Sequence, residues 1–141
     1  MKIVDTNVLV YAVAQRAPHH RESRAWLDHA LGGAFPVGLS WGALLGFIRI
    51  ATHPRVYDPP LSPEQAMDVV DGWLGARSAH LLQPGPFHAS FLRELLAAAG
   101  TAGNLTADAH LAALALEHKA TIVTFDTDFS RFPGVKWERP R

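Results

Sequence analysis

The 141-residue sequence contains no cysteine, no excess of either charge and no long apolar run. Without cysteine, disulfide scaffolds and thiolate metal sites are excluded, and a reducing compartment such as the cytoplasm is expected. Thirteen basic and 13 acidic residues give a formal net charge of zero, so binding of a polyanion must depend on a local basic patch. The longest apolar run, residues 41–48, is shorter than the roughly 18 residues that span a bilayer. With no export signal or lipid anchor visible in MKIVDTN, we expect a soluble protein without a membrane span.

Apolar residues, by contrast, are abundant enough, at 48%, to form a core in one domain spanning residues 1–141. Short β-branched or apolar runs at residues 2–4, 36–39, 79–82, 121–124 and 135–137 predict strands. They alternate with segments of helical composition. This alternation predicts an α/β fold in which helices flank both faces of a central parallel sheet, giving three α/β/α layers.

Two predicted helices matter most for function. One covers residues 41 to about 52 behind the capping Ser40, and it is apolar all round except for Arg49, which predicts that it is largely buried. Its glycines Gly42 and Gly46 are four residues apart, a spacing typical of a face that another segment approaches closely. The other helix covers residues 107–119, with Thr106 predicted as its N-cap.

Four aspartates are predicted to meet at one edge of the sheet. Asp5 follows the first strand, Asp126 and Asp128 follow the strand at residues 121–124, and Asp108 lies in the first turn of the helix that runs antiparallel to that strand. Crowded carboxylates raise one another's pKa and are costly unless a cation binds them. Oxygen ligands favour Mg²⁺ or Mn²⁺. The structural alternatives are that Asp5 merely caps the next helix and that Asp128 forms a turn.

Such a cluster favours metal-assisted hydrolysis of a phosphodiester. Other chemistries lack their motifs. The eight histidines show no H-E-x-x-H spacing for zinc, and neither a G-x-S-x-G elbow nor a glycine-rich phosphate loop is present.

At this point the sequence resembles a known family. Asp5-Thr6-Asn7, Thr106-Ala107-Asp108 and residues 123–129 (VTFDTDF) look like the motifs of PIN-domain ribonucleases, most closely the VapC-type toxins of bacterial toxin-antitoxin pairs. The resemblance implies a cytoplasmic endoribonuclease that uses Mg²⁺ or Mn²⁺ to cut tRNA, rRNA or mRNA. It also implies inhibition by a cognate VapB-type antitoxin, frequent homodimers and the strand order 3-2-1-4-5.

The sequence departs from the family at one position. Gly46 stands where the family usually carries a glutamate, which leaves Asp5, Asp108, Asp126 and Asp128 as the metal ligands, with the first three assigned to catalysis. Two hypotheses follow. The protein is an active RNase toxin, or it is a catalytically impaired PIN-like protein that binds RNA or regulates a partner.

Substrate contacts are predicted at the ends of helices and in loops. Thr6, Asn7, Arg16 and Arg55 are the candidates, and Arg49 and His53 can add to the same basic patch.

Overall fold

Five short strands form one parallel sheet in the computed structural model, which describes residues 1–141. The strands are β1 (Lys2–Val4), β2 (Val37–Leu39), β3 (Ala79–Leu81), β4 (Thr121–Val123) and β5 (Lys136–Glu138). Their order in the sheet is β3-β2-β1-β4-β5, and every adjacent pair is parallel. The predicted α/β class and the strand order 3-2-1-4-5 are therefore confirmed.

Six helices connect these strands: α1 (Thr6–Val13), α2 (His20–Gly32), α3 (Trp41–Ala51), α4 (Pro63–Leu74), α5 (His88–Ala99) and α6 (Thr106–His118). The predicted caps of α3 and α4 are present, since Ser40 accepts from the Ala43 amide and Ser62 forms a full capping box with Gln65. Helix α5 ends at Gly100, whose φ of 73° is the left-handed conformation that glycine adopts without strain.

The predicted N-cap of α6 is wrong. Leu105 precedes the helix without a side-chain cap, and Thr106 is already the first helical residue. The cause is a 3₁₀ turn at Gly103–Leu105, which leads directly into the helix and places Thr106 in helical geometry. Asp108 nevertheless lies in the first turn, as expected.

The core is divided between the two faces of the sheet. Val4 and Val123 pack with α1, α2, α3 and α4 on one face, whereas Ile3 and Ile122 pack with α5 and α6 on the other. This division follows from the alternation of side chains along a strand. It produces the three predicted α/β/α layers. No helix has both the length and the apolar character needed to cross a bilayer.

Helix α3 is less buried than its composition predicts. Ala43, Leu44 and Phe47 pack in the core, but 58% of Leu45 is exposed, and Arg49 lies on the same open side. The prediction was wrong because Leu45 and half-buried Ile50 line a cleft, and Trp41 is exposed at the start of the helix.

Candidate active site

The site lies where β1 and β4 end side by side. Val4 is paired with Val123, and the Asp5 amide donates a 3.1 Å hydrogen bond to the Val123 carbonyl. The residues that follow each strand, Asp5 on one side and Thr124 on the other, are therefore neighbours. This is the sheet edge at which open α/β proteins bind ligands.

Three carboxylates converge beside this edge. Asp108 comes from the first turn of α6, and Asp126 and Asp128 come from the segment after β4. One carboxylate oxygen from each of the three lies within 4.8 Å of the other two. Asp126 accepts a 2.8 Å hydrogen bond from the Asp128 amide through Oδ1. The turn that was the structural alternative for Asp128 is thus present, and it is also what brings Asp128 next to Asp126.

Asp5 is buried at the base of the same site. One carboxylate oxygen accepts from the Thr6 amide at 2.7 Å, and the other accepts from Asn7 Nδ2 at 3.1 Å and from Thr124 Oγ1 at 2.7 Å. Asp5 therefore caps α1, as the structural alternative proposed, while it also belongs to the acidic site. Three donors hold its carboxylate in a single orientation.

Thr124, which was not among the predicted site residues, connects the two halves of the site. Its buried hydroxyl donates to Asp5 and accepts from Asn7 Nδ2 at 3.1 Å and from the Asp126 amide at 3.0 Å. Asn7 Oδ1 in turn accepts from the Phe125 amide at 3.1 Å. A threonine hydroxyl can accept from the amide two residues further on and so form a turn, as Thr124 does here, and a threonine directly after a strand is the signal that could have identified it.

The electrostatics of the cluster are unfavourable as they stand. Burial, followed by the charges of Asp5, Asp126 and Asp128, raises the pKa of Asp108 to about 7. Burial also raises the pKa of Asp5, against the lowering effect of its hydrogen bonds from Thr124 and Thr6. None of the four carboxylates pairs with a lysine or arginine, so no positive side chain neutralises their charge.

Similarity to known proteins shows the family of this chain. The family model of the PIN domain matches residues 2–135. The chain belongs to the PIN domain family. Over 140 residues it is 51% identical to Ribonuclease VapC37 of Mycobacterium tuberculosis, with 99% of this chain and 97% of that protein covered. It is also 43% identical to Ribonuclease VapC33 of Mycobacterium tuberculosis, with 99% and 98% covered.

Solved structures agree on the fold. VapBC2 from Rickettsia felis, bound to a DNA fragment from its promoter, superposes with a TM-score of 0.71 at 21% identity, covering 98% of this chain and 97% of that chain. The Mycobacterium tuberculosis toxin VapC20, described as cleaving the sarcin-ricin loop, gives a TM-score of 0.70 at 15% identity, covering 96% and 99%. At these identities the likeness shows a shared PIN fold.

In this PIN domain the acidic site lies at the wall of a cleft of about 1390 Å³. Its wall includes three of the predicted ligands, several predicted substrate contacts and the residues Gly42, Gly46 and His110. The predicted residues that line it are Asp5, Asp108, Asp126, Thr6, Asn7, Arg16 and Arg49. His53 and Arg55 are exposed on the neighbouring loop and do not line the cleft. Burial, with a smaller contribution from the charge of His88, lowers the pKa of His110.

Gly46 allows α1 and α3 to approach closely. A Cβ atom at this position would lie 2.6 Å from Thr6 Oγ1 and 2.9 Å from Thr6 Cγ2. The Thr6 hydroxyl donates a 3.1 Å hydrogen bond to the Ala43 carbonyl on the same helix. The space in which a glutamate side chain would begin is thus filled by Thr6, which gives Gly46 a packing role at the wall of the PIN-domain cleft.

The donor set of this PIN domain suits a hard divalent cation. It contains only carboxylate oxygens, it has no basic side chain among them, and the repulsion that raises the pKa of Asp108 would be relieved by a bound positive charge. Asp108, Asp126 and Asp128 are the residues that could hold such an ion directly, and buried Asp5 completes the negative charge around it.

Proposed function

We propose that this chain is a VapC-type endoribonuclease toxin that hydrolyses RNA phosphodiester bonds. The observation that supports this most directly is the convergence of Asp108, Asp126 and Asp128 beside buried Asp5, without any basic partner, at the wall of a large cleft. Folding does not require such a cluster, and carboxylates this close reduce stability. The extended similarity to proteins named VapC ribonucleases supports the same conclusion.

The proposal includes the metal and its ligands. Asp5, Asp108, Asp126 and Asp128 would hold Mg²⁺ or Mn²⁺, the last three directly and Asp5 from the base of the site, because carboxylate oxygens select hard ions that retain water and accept phosphate oxygens. When bound, such an ion neutralises charge on the scissile phosphate and activates a water molecule. Asp5, Asp108 and Asp126 are the catalytic carboxylates in this scheme.

The residues of the chain set the geometry of hydrolysis. The oxygen of water forms a bond to phosphorus and one phosphorus–oxygen ester bond breaks, leaving one RNA product with a terminal phosphate and the other with a hydroxyl. Asp5 is held by Thr6, Asn7 and Thr124, so its carboxylate cannot turn away during the reaction. Preorganised charge of this kind contributes directly to transition-state stabilisation.

Substrate binding is assigned to polar and basic residues around the acids. Thr6 and Asn7 line the cleft next to Asp5, and Arg16 lies at its outer wall, where a phosphate can reach it. Arg49 joins this group because it is exposed on the cleft side of α3. Arg55 does not line the cleft, so we propose that it contacts the part of the RNA that extends beyond the cleft.

The proposed partners follow from the apolar part of the same cleft. Solved neighbours of this fold are VapBC complexes, and here 58% of Leu45 and 64% of Val56 are exposed where the cleft opens. We assign this surface to a cognate VapB-type antitoxin. We further propose that the protein forms a homodimer, folds as a single domain over residues 1–141 and acts in the cytoplasm. The candidate substrates tRNA, rRNA and mRNA are found there.

The test is cleavage of total bacterial RNA by the purified chain, with the new RNA ends mapped by sequencing. Discrete cuts are expected with Mn²⁺ or Mg²⁺ and none with EDTA. Asp126→Asn should reduce the rate at least about a hundredfold, as expected when a transition-state interaction is lost. Asp68→Asn, an exposed aspartate on α4, serves as the matched control and should cleave normally.

Two results contradict the proposal. Cleavage that persists in EDTA would rule out the metal mechanism. RNA binding without any cleavage by the wild-type chain would favour the catalytically impaired protein, the alternative that Gly46 raises.

A further inference from the structure

A hydrogen-bonded series of three buried or half-buried polar side chains, Glu117, His88 and His110, connects α5 to the cleft. Glu117 Oε1 lies 2.6 Å from His88 Nδ1, and His88 Nε2 lies 2.9 Å from His110 Nδ1. Glu117 and His110 are seven residues apart on α6, so they share one face of the helix about 10 Å apart, and His88 fills the gap from the start of α5. Neither the acidic cluster nor the metal chemistry uses these residues.

Glu117 and His88, the end of this series away from the cleft, are enclosed by the protein. The Glu117 side chain is 7% exposed and that of His88 is 13% exposed. The other Glu117 oxygen accepts a 2.8 Å hydrogen bond from the Gly85 amide. Each polar atom of Glu117 and His88 therefore has a partner, and the pair is held in one arrangement.

His110, the other end of this hydrogen-bonded series, lies at the wall of the cleft. His110 lines the cleft together with Asp108, and its ring lies against α3, where a Cβ on Gly42 would be 3.3 Å from Cδ2 and 3.6 Å from Nε2. Its Nδ1 is bonded to His88, whereas its Nε2 has no hydrogen-bond partner within the protein. A fixed ring with one unused polar atom at the wall of a binding cleft is suited to contact a ligand.

The hydrogen-bond roles restrict what that ligand group can be. An ionised Glu117 only accepts, so His88 Nδ1 carries a proton. For a neutral His110 ring, His88 Nε2 then either donates to His110 Nδ1, which leaves N–H at His110 Nε2, or accepts from His110 Nδ1, which leaves a lone pair at Nε2. A group that both donates and accepts can bond to His110 in either arrangement. Within the ribose-phosphate backbone of RNA, where the phosphate and ester oxygens only accept, that group is the ribose 2′-hydroxyl, which DNA lacks.

We propose that His110 Nε2 contacts a ribose 2′-hydroxyl of RNA in the cleft, and that His88 and Glu117 are positioning residues that fix the His110 ring. His110 is then a specificity residue that distinguishes RNA from DNA. The inference rests on the proposed function, because it requires RNA in this cleft.

The test is a double-mutant cycle between protein and substrate. An RNA oligonucleotide that spans a cleavage site mapped in total RNA is made in versions with a single 2′-deoxy nucleotide at each position flanking the cut. For the wild-type chain, one position should lower kcat/KM about three- to tenfold, the value of one hydrogen bond. His110→Ala should lower the rate on the all-ribose substrate by a similar factor, and the same deoxy substitution should then have no further effect.

Matched variants separate this contact from a structural role. His110→Phe keeps the ring volume and should lose the same coupling, which covers the case in which His110→Ala folds poorly. His88→Ala should weaken the coupling without abolishing it. His118 lies on the same helix but outside the cleft, so His118→Ala should leave the effect of the 2′-deoxy substitution on kcat/KM unchanged.

Additive effects at every flanking position would overturn the proposal and identify the three residues as a structural link between α5 and α6. The same cycle is measured as binding, by fluorescence anisotropy in EDTA. If no cut is mapped, the probe is the tightest-binding member of a set of single-stranded RNA oligonucleotides, with one 2′-deoxy nucleotide placed at each position in turn, so that the measurement does not depend on cleavage. A wild-type chain that binds RNA with the expected coupling but does not cleave it would contradict the proposed function alone. A chain that neither binds nor cleaves RNA would contradict both.

Discussion

Replacing Asp108 by asparagine should stabilise the metal-free protein while it abolishes cleavage. Burial and the charges of Asp5, Asp126 and Asp128 raise the pKa of Asp108 from 3.8 to about 7. The unfolded chain therefore loses this proton at lower pH than the folded chain, so folding becomes less favourable as the pH rises from about 4 to 7. Asparagine has the same shape but never ionises, so it escapes this loss.

The magnitude follows from the size of the shift. Each pH unit between the two pKa values corresponds to about 1.4 kcal/mol, which gives an upper limit of about 4 kcal/mol for the full shift. Because Asp108 is only half-buried, solvent screening reduces the expected gain to about 2 kcal/mol at pH 8. For a domain of this size the gain corresponds to a rise in Tm of about 4 to 8 °C.

The assay is urea unfolding followed by circular dichroism in EDTA, at pH 4 and pH 8, for the wild type and Asp108→Asn. The variant should be more stable at pH 8 and nearly equal at pH 4, where Asp108 is protonated in the folded wild type. Saturating Mn²⁺ should reverse the order at pH 8, because the ion stabilises the wild type through binding. Asp68→Asn, an exposed control, should show neither effect. An equal gain at both pH values, or none at pH 8, would refute the argument that repulsion among the carboxylates limits stability.

Three further changes test other contacts. Thr124→Val should lower the free energy of unfolding by about 1 to 3 kcal/mol in urea titrations, because buried partners lose their hydrogen bonds, whereas Thr124→Ser should recover most of the loss. Gly46→Ala should lower the free energy of unfolding by about 1 to 3 kcal/mol, because its Cβ would lie too close to Thr6. Adding Thr6→Ala should restore the lost stability, whereas a Gly46→Ala variant that is more stable than the wild type would contradict the packing role of Gly46. Arg16→Ala should reduce the slope of log K against log salt for RNA binding by about 0.7, whereas the exposed Arg77→Ala should leave it unchanged.

Much of the fold follows from local signals in the sequence. The strands at β1 and β4 are short apolar runs, and Ser40, Ser62 and Gly100 mark helix ends through contacts within a few residues. The position of Asp108 followed from the antiparallel arrangement of α6 and β4. Strand order is a long-range property, and the family resemblance supplied it.

The errors arise where local composition does not specify the surroundings of a residue. The N-cap of α6 was misplaced because a 3₁₀ turn at Gly103–Leu105 leads directly into the helix, and such turns are frequent at helix ends. Helix α3 was expected to be buried because composition does not distinguish a core from the apolar wall of a cleft. The roles of Thr124 and of the His88–His110 pair depend on partners 119 and 22 positions away, which no local pattern specifies.

The bond between Thr124 and Asp5 also dictates when activity can first exist during synthesis. Asp5 is translated almost at once, but its carboxylate is oriented by a hydroxyl that is made 119 residues later. The β4 side of β1 is therefore unpaired until residues 121–123 have been synthesised. A chain still on the ribosome also lacks Asp126 and Asp128 until residue 128 has been added, so the acidic cluster can be complete only when most of the protein has been made.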